Sequence, residues 1–267
     1  MIKKILSMYH ERGALGLLAA VYNFFVTRII KVYRMRKVLA VFKGRSLKKS
    51  KGGDFYYVDP MPSESELDTY YSHAYWDTRE EKNLGANLRD FVHYHLLKEN
   101  IPDFFSDTKK CVINFGAGHG GISNLFWFDG FDVINIEPSG LPQLYDERWT
   151  TYKWIGDVPD KSIDLIYGSH SLEHVQDIEK FKQQVSRVLK PNALLFWEVP
   201  NAKDPKCSSM MNRIEVPHTY YFFNEFFENW FDEVILNNSY DQSHIKGVVE
   251  NWKSYKNTGG VVIRALG

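Results

Sequence analysis

The chain has 267 residues, 33 basic and 33 acidic side chains, and 18 Phe, 16 Tyr and 7 Trp. A length and aromatic content of this size allow one large α/β domain with an appendage, so core material is not limiting. Two cysteines, Cys111 and Cys207, exclude a disulfide scaffold and match usage in a reducing cytoplasm.

The formal neutrality conceals a split. Residues 1–53 hold 13 Lys or Arg against the single acid Glu11, while the rest of the chain holds 20 basic and 32 acidic residues. Ala14 to Thr27 is uncharged, but Arg28 and Lys31 interrupt the run before the roughly 20 apolar residues a bilayer span needs. Lys3 and Lys4 imitate the start of a signal peptide, yet no small-x-small cleavage site follows. Helical spacing fits better, with Asn23, Thr27, Lys31 and Arg34 on one stripe and Leu18, Val21, Tyr22, Phe25, Ile29 and Val32 opposite. Residues 1–50 therefore read as a basic amphipathic helix. Three readings stay open: contact with the anionic inner face of a cell membrane, packing on its own domain, or packing on a second subunit in a homodimer. Nucleic acid is the least favoured partner.

Gly52 to Pro62 reads as a linker broken by Pro60 and Pro62. Ser63-Glu64-Ser65-Glu66 is a helix start, because acids suit the positive end of the helix dipole. Tyr70, Tyr71, Tyr75 and Trp76 follow, and Arg79 to Asn100 is expected to be a helix with Leu84, Leu88, Phe91, Leu96 and Leu97 inward. Strands and helices then alternate: a strand at Cys111–Phe115, a helix at Gly121–Phe128, and a strand at Val133–Glu137. A short piece at Leu141–Tyr145 precedes strands at Thr151–Ile155 and Ser162–Tyr167, a helix from Val175 to Leu189 stopped by Pro191, and a strand at Leu194–Val199. An aromatic helix at Phe222–Trp230 leads to strands at Glu233–Leu236 and Val261–Ala265, most simply an antiparallel pair. The alternation implies a mostly parallel sheet with helices on both faces. The expected organisation is a basic helical extension at 1–53, an aromatic cap at 54–100 and an α/β domain at 101–267.

Residues 112–121, Val-Ile-Asn-Phe-Gly-Ala-Gly-His-Gly-Gly, carry the chemistry. Gly116, Gly118 and Gly121 follow a strand and open a helix, where glycine permits a tight turn and close approach of a ligand to the backbone. The helix start offers free N–H groups to an anionic group. Glu137, at the tip of the next strand, can accept both hydroxyls of a ribose. Together these imply a nucleoside-containing cofactor. The loop alone fits nicotinamide-dependent dehydrogenases and S-adenosylmethionine-dependent methyltransferases alike. Its position well inside the chain and the antiparallel ending favour the second.

Four ordered stretches, Asn114–Gly120, Asn135–Ser139, Asp164–Val175 and Val188–Phe196, resemble the class I S-adenosylmethionine-dependent methyltransferases. The likeness is to the group containing ubiquinone-type O-methyltransferases and bacterial surface-polysaccharide methyltransferases. It implies a Rossmann-like seven-stranded sheet, mostly parallel with an antiparallel C-terminal strand. It also implies S-adenosylmethionine as cofactor, S-adenosylhomocysteine as product, and a cofactor site drawn from Asn114, Phe115, Gly116, Ala117, Gly118, Gly120, Glu137, Pro138, Ser169 and His170. Two positions depart from the pattern. Asn114 stands where the family usually has an acid near the methionyl end, and the adenine-contacting acid is hard to locate, with Asp157 the candidate.

A hydroxyl acceptor needs a base titrating near neutrality, which suits histidine. His170, His174 and His218 fall on loops at the carboxyl side of the sheet, where open α/β folds bind ligands. His218 and His170 rank ahead of His174 as base, and each has a structural alternative. Tyr71, Tyr75, Trp76 and Tyr220 are candidates for closing over acceptor and cofactor. In some ubiquinone-type relatives acids near the equivalent of Glu173-His174 bind a divalent metal. His170 replaces one acid here and no metal is assigned. The expected activity is O-methylation of a sugar or sugar-like precursor of a bacterial surface glycan, free or lipid-linked, in the cytoplasm or at the inner membrane face. O-methylation of a small aromatic or quinone-like metabolite is the enzymatic alternative, and an inactive cofactor-binding module recruited to membranes is the alternative of another class.

Overall fold

The computed structural model describes residues 22, 25–26, 44–71, 84–139, 147–202, 218–230, 233–238 and 260–264, with backbone only at 70, 84–88, 233–238 and 260–264. Tyr75, Trp76, the piece at Leu141–Tyr145 and nearly all of the basic N-terminal helix lie outside these residues. The chain divides into two compact units, Met1–Lys43 and Gly44–Gly267. Among the described residues no helix is long and apolar enough to cross a membrane.

The second unit begins with β1 (Ser46–Lys49) and β2 (Phe55–Asp59), an antiparallel hairpin. This corrects the linker reading of Gly52–Pro62, and the hairpin straddles the boundary expected at residue 53. Its partner is far away in sequence: β2 pairs antiparallel with β8 (Tyr220–Phe222), giving a small sheet of order β1-β2-β8. Phe55, Tyr220, Phe222 and Phe226 pack edge to face and tilted across it, so the segment ahead of the prolines folds on aromatic contacts that appear only in three dimensions.

α1 (Glu64–Tyr70) starts where its sequence predicts, and the start is a capping box. The Ser63 side chain accepts from the Glu66 N–H, and Glu66 Oε2 accepts from the Ser63 N–H at 2.7 Å. Such a cap contributes about 1 kcal/mol. α2 (Leu84–Asn100) buries Val92, His93, Tyr94, Leu96 and Leu97, while Phe91 is 45% exposed. Phe91 thus lies outside the inner stripe, which runs through His93 instead. A buried imidazole in that stripe disguises the apolar period. α3 (Pro102–Phe105) follows.

The large sheet has seven strands among the described residues, in the order β5-β4-β3-β6-β7-β10-β9. They are β3 (Cys111–Phe115), β4 (Asp132–Ile136), β5 (Thr150–Tyr152), β6 (Ile163–Ser169), β7 (Leu189–Glu198), β9 (Glu233–Asn238) and β10 (Gly260–Arg264). β5, β4, β3, β6 and β7 are parallel, and β10 is antiparallel to β7 and β9, as expected for the chain's end. Successive residues face opposite sides: Ile113, Ile166 and Leu195 join one core with α5 (Ile178–Val188), while Val112, Leu165 and Phe196 join the other with α4 (Gly121–Phe128) and α2.

Several boundaries move. The expected strand at Thr151–Ile155 is Thr150–Tyr152 followed by a 3₁₀ turn at Ile155–Asp157. The helix expected from Val175 starts at Ile178, because Asp177 caps it by accepting the N–H groups of Glu179 and Lys180, each at 3.0 Å. It ends at Val188, and Pro191 lies inside β7, where the pairing with β6 shifts register. A proline is tolerated there because the ladder is already interrupted. α6 (Asn224–Trp230) then starts after β8, two residues beyond the expected start at Phe222.

Candidate functional site

A cavity of about 1230 Å³ opens at the carboxyl ends of β3, β4 and β6. It exceeds the roughly 300–1,000 Å³ usual for one small-molecule ligand, leaving room for a second.

The glycine turn forms one wall. Gly116, Gly118 and Gly120 have φ of +70°, +56° and +71°, conformations that favour glycine. At Gly116 an added Cβ would also lie 2.5 Å from the Ser171 Cβ, so this glycine lets the β6 loop close on the β3 loop. Asn114, Phe115, Gly116, Ala117 and Gly118 line the cavity, together with His119, which no sequence signal beyond its place in the loop singles out. Gly120 is buried at the start of α4 and shapes the turn rather than the wall.

Glu137 lies on the wall with Pro138. It is 6% exposed and accepts one N–H on each oxygen, from Gly118 at 2.8 Å and from Ser139 at 3.1 Å. A carboxylate has about four acceptor positions, so a held Glu137 keeps capacity for two hydroxyls. This fits a ribose. Asn114 donates one of its two amide protons to Ser123 at 2.8 Å, which keeps its side-chain oxygen for a ligand. Trp154, Ile155 and Gly156 complete this side, whereas Asp157 is exposed and outside the wall.

The three candidate histidines gather around a residue nominated only through the resemblance, Glu173. Its side chain is 1% exposed, and one oxygen lies 3.4 Å from His170 Nδ1 and 3.9 Å from both His174 Nε2 and His218 Nε2. Neither oxygen makes a hydrogen bond of good geometry among the described residues. Burial alone would raise the Glu173 carboxyl, but His170, His174 and His218 outweigh it and bring it down to about 2. His170 and His174 line the cavity, and His218 sits behind Glu173, outside the wall. The small sheet positions His218: the next residue, Thr219, donates from its N–H and its hydroxyl to the Glu173 carbonyl, each at 2.9 Å, while its own carbonyl accepts from Val58. Glu173, His174 and His218 each offer a ligand atom within 4.8 Å of the others, so this trio is the group among the described residues able to hold a metal.

A second buried carboxylate, Glu198 at the end of β7, completes the centre. Arg89 Nε and His93 Nε2 each approach it to 3.5 Å, His170 Nε2 lies at 3.7 Å, and the Ser169 hydroxyl donates to it. Burial opposes its charge, yet His93, His170 and Arg89 hold its carboxyl well below the usual range. His93 Nδ1 in turn meets the Tyr167 hydroxyl at 2.8 Å. His170 is thus held between two carboxylates, with φ at +51° and its N–H donating to the Glu198 carbonyl at 2.8 Å. Arg89 and Asp90 also reach the wall, and burial raises the Asp90 carboxyl above its ordinary range. None of Arg89, Asp90, His93 and Glu198 was signalled by the sequence, because α2 and β7 meet only in the folded chain.

Of the aromatic candidates, Tyr71 lines the cavity and packs its ring on His174 at 5.8 Å between centroids. Tyr220 lies in the core instead: its hydroxyl accepts from the Ile178 N–H and donates to the Gln176 carbonyl, both at 3.2 Å, fixing the start of α5.

A sequence model of the methyltransferase domain family matches residues 87–246, which hold all of this site except the contributions of α1 and the hairpin. The chain belongs to the methyltransferase domain family. Its methyltransferase domain is of the class I type, and S-adenosylmethionine is the cofactor. A ubiquinone biosynthesis O-methyltransferase of Hahella chejuensis is 26% identical over 151 residues, covering 51% of this chain and 59% of that protein. Among solved structures, a Burkholderia thailandensis 1,6-didemethyltoxoflavin-N1-methyltransferase with 1,6-didemethyltoxoflavin and S-adenosylhomocysteine bound aligns with 84% of this chain and 97% of that one. The identity is 12% and the TM-score 0.54. A candidate sarcosine dimethylglycine methyltransferase from Galdieria sulphuraria aligns with 75% and 98%, at 16% identity and a TM-score of 0.51. At these identities the methyltransferase domain shares their fold.

Proposed function

We propose that this chain methylates a hydroxyl of a sugar or sugar-like acceptor, a precursor of a bacterial surface glycan, with S-adenosylmethionine as donor. The observation that carries the base chemistry is the single buried Glu173 shared by three imidazoles, two of them, His170 and His174, on the cavity wall. S-adenosylmethionine, when bound, supplies an electrophilic sulfonium methyl group. Glu137 would hold the ribose and Asn114 would meet the amino-acid end. His174 would accept the acceptor hydroxyl's proton as its oxygen takes the methyl carbon and the carbon–sulfur bond breaks, with S-adenosylhomocysteine as the leaving group, and Glu173 would stabilise the imidazolium that results. His174 replaces His218 as the favoured base because His218 lies behind Glu173. His170 is less suited, since its two nitrogens each face a carboxylate.

Support for a sugar comes from the part of the cavity that the glycine turn does not build. It is lined by Asp68, Tyr71, Arg89, Asp90, Gln176 and Lys180, a hydrogen-bonding wall with an aromatic face. The Hahella relative's name favours a second reading, methylation of a quinone precursor, and a polar wall suits that acceptor less well. Transfer of labelled methyl from S-adenosylmethionine to a panel of sugar hydroxyls and catechols separates the two. Labelled sugar is expected, and labelled catechol alone would overturn the glycan reading.

Residues 1–50 are read as a contact with an anionic membrane surface. Supporting this are the basic excess and the exposure of Tyr22 and Phe25 on the expected apolar stripe. Flotation with anionic vesicles should be lost on deleting residues 1–50, and undiminished flotation would remove the proposal.

A further inference from the structure

Asn114 is the departure from the family pattern that the reading above leaves unexplained. It stands opposite Asn135 in register on the neighbouring parallel strand. Ser123, in the first turn of α4, lies between them: Asn114 Nδ2 donates to Ser123 Oγ at 2.8 Å, and Ser123 Oγ donates to Asn135 Oδ1 at 2.6 Å. Ser123 and Asn135 are fully buried and Asn114 nearly so. Water therefore does not compete for these bonds, and their directions are coupled.

A hydroxyl has one proton to give. While Ser123 gives it to Asn135, it can only accept from Asn114, so the Asn114 amide must turn its nitrogen inward. Its oxygen is then the atom available to the cavity, which Asn114 lines. Reversing the chain would turn the Asn114 NH₂ outward, against any amine placed there. Asn135 does not choose between the two directions. As drawn its Nδ2 has no partner among the described residues, and reversal would orphan its Oδ1 instead. The ligand is what selects the direction.

We propose that Ser123 and Asn135 are positioning residues that, once an amine in the cavity selects the direction of the chain, brace the Asn114 amide with its oxygen toward the cofactor's amino group, giving this chain a neutral acceptor for that amine. This rests on the assignment of S-adenosylmethionine as cofactor. Recognition at the amino-acid end then depends on the orientation of an amide rather than on an ion pair. Loss of the relay weakens only ligands that carry the amine.

Isothermal titration with S-adenosylhomocysteine and with 5′-methylthioadenosine, which lacks the amino-acid portion, tests the relay. Ser123→Ala is expected to weaken S-adenosylhomocysteine about tenfold, the loss of one oriented hydrogen bond, and to leave methylthioadenosine within about twofold. Asn114→Asp, which needs no relay to present oxygen, should tighten S-adenosylhomocysteine about tenfold with no gain for methylthioadenosine. Equal weakening of both ligands by Ser123→Ala, with no selective gain from Asn114→Asp, would overturn the relay while leaving the cofactor assignment intact. Absence of binding of either ligand to the wild-type chain would overturn the cofactor assignment, and the relay with it.

Discussion

The two halves of the cavity are built by different means. The cofactor half comes mostly from consecutive residues, a strand, a glycine turn, a helix start and the tip of the next strand within Asn114 to Pro138, with Trp154, Ile155 and Gly156 added from beyond β5. The acceptor half is assembled from α1, α2, the turn after β6, the end of β7 and, behind Glu173, the loop before β8. Local chain geometry fixes the first half. The second is fixed by contacts between distant segments, among them the β2–β8 pairing that brings His218 to Glu173.

If that contrast is right, damage to each half should have a distinct signature. The largest effect is expected from His174→Ala, a fall of about 10²–10⁴ in kcat with S-adenosylhomocysteine affinity unchanged. An equal fall with lost affinity would move His174 into the cofactor half. Glu173→Gln should lower kcat about 100-fold and also change acid stability. A carboxyl lowered from its ordinary 4.5 to about 2 contributes stability that is present above 4.5 and lost as pH falls toward 2. Urea unfolding from pH 5 to pH 2 should therefore be less pH-dependent in the variant than in the wild type. His218→Ala, acting through Glu173, should cost about tenfold in kcat and shift the pH–rate profile.

How much was legible follows the same division. The glycine turn, Glu137 and the order of the parallel strands could be read because glycine spacing and strand periods are local signals. His170 and His174 were legible as loop histidines, but their shared carboxylate was not, since three imidazoles converge on Glu173 from separate turns. Arg89 and His93 were hidden because a helix that buries a histidine loses its apolar period. The prolines at 60 and 62 suggested a linker because a hairpin whose third strand lies some 160 residues on has no local signature.

A smaller effect sharpens the boundary between chemistry and closure. Asp68 and Glu64 on α1 pair with Lys153 at 2.9 Å and Lys180 at 3.7 Å, at the cavity rim. These pairs are solvent-exposed, so Asp68→Asn should raise the acceptor KM no more than about threefold, and less at high salt. Chelation distinguishes base from metal chemistry at Glu173, His174 and His218. A base predicts activity unchanged by EDTA, whereas loss on chelation with recovery on adding zinc would assign the trio to a metal.

The claim underlying both halves is that Glu137 anchors a ribose in the glycine-turn cavity. Calorimetric titration of the wild type and Glu137→Ala with S-adenosylhomocysteine tests it most directly. Micromolar binding by the wild type and a loss of about 100-fold in the variant are predicted, from two hydroxyls losing a charged acceptor. Wild-type affinity retained by Glu137→Ala would contradict it.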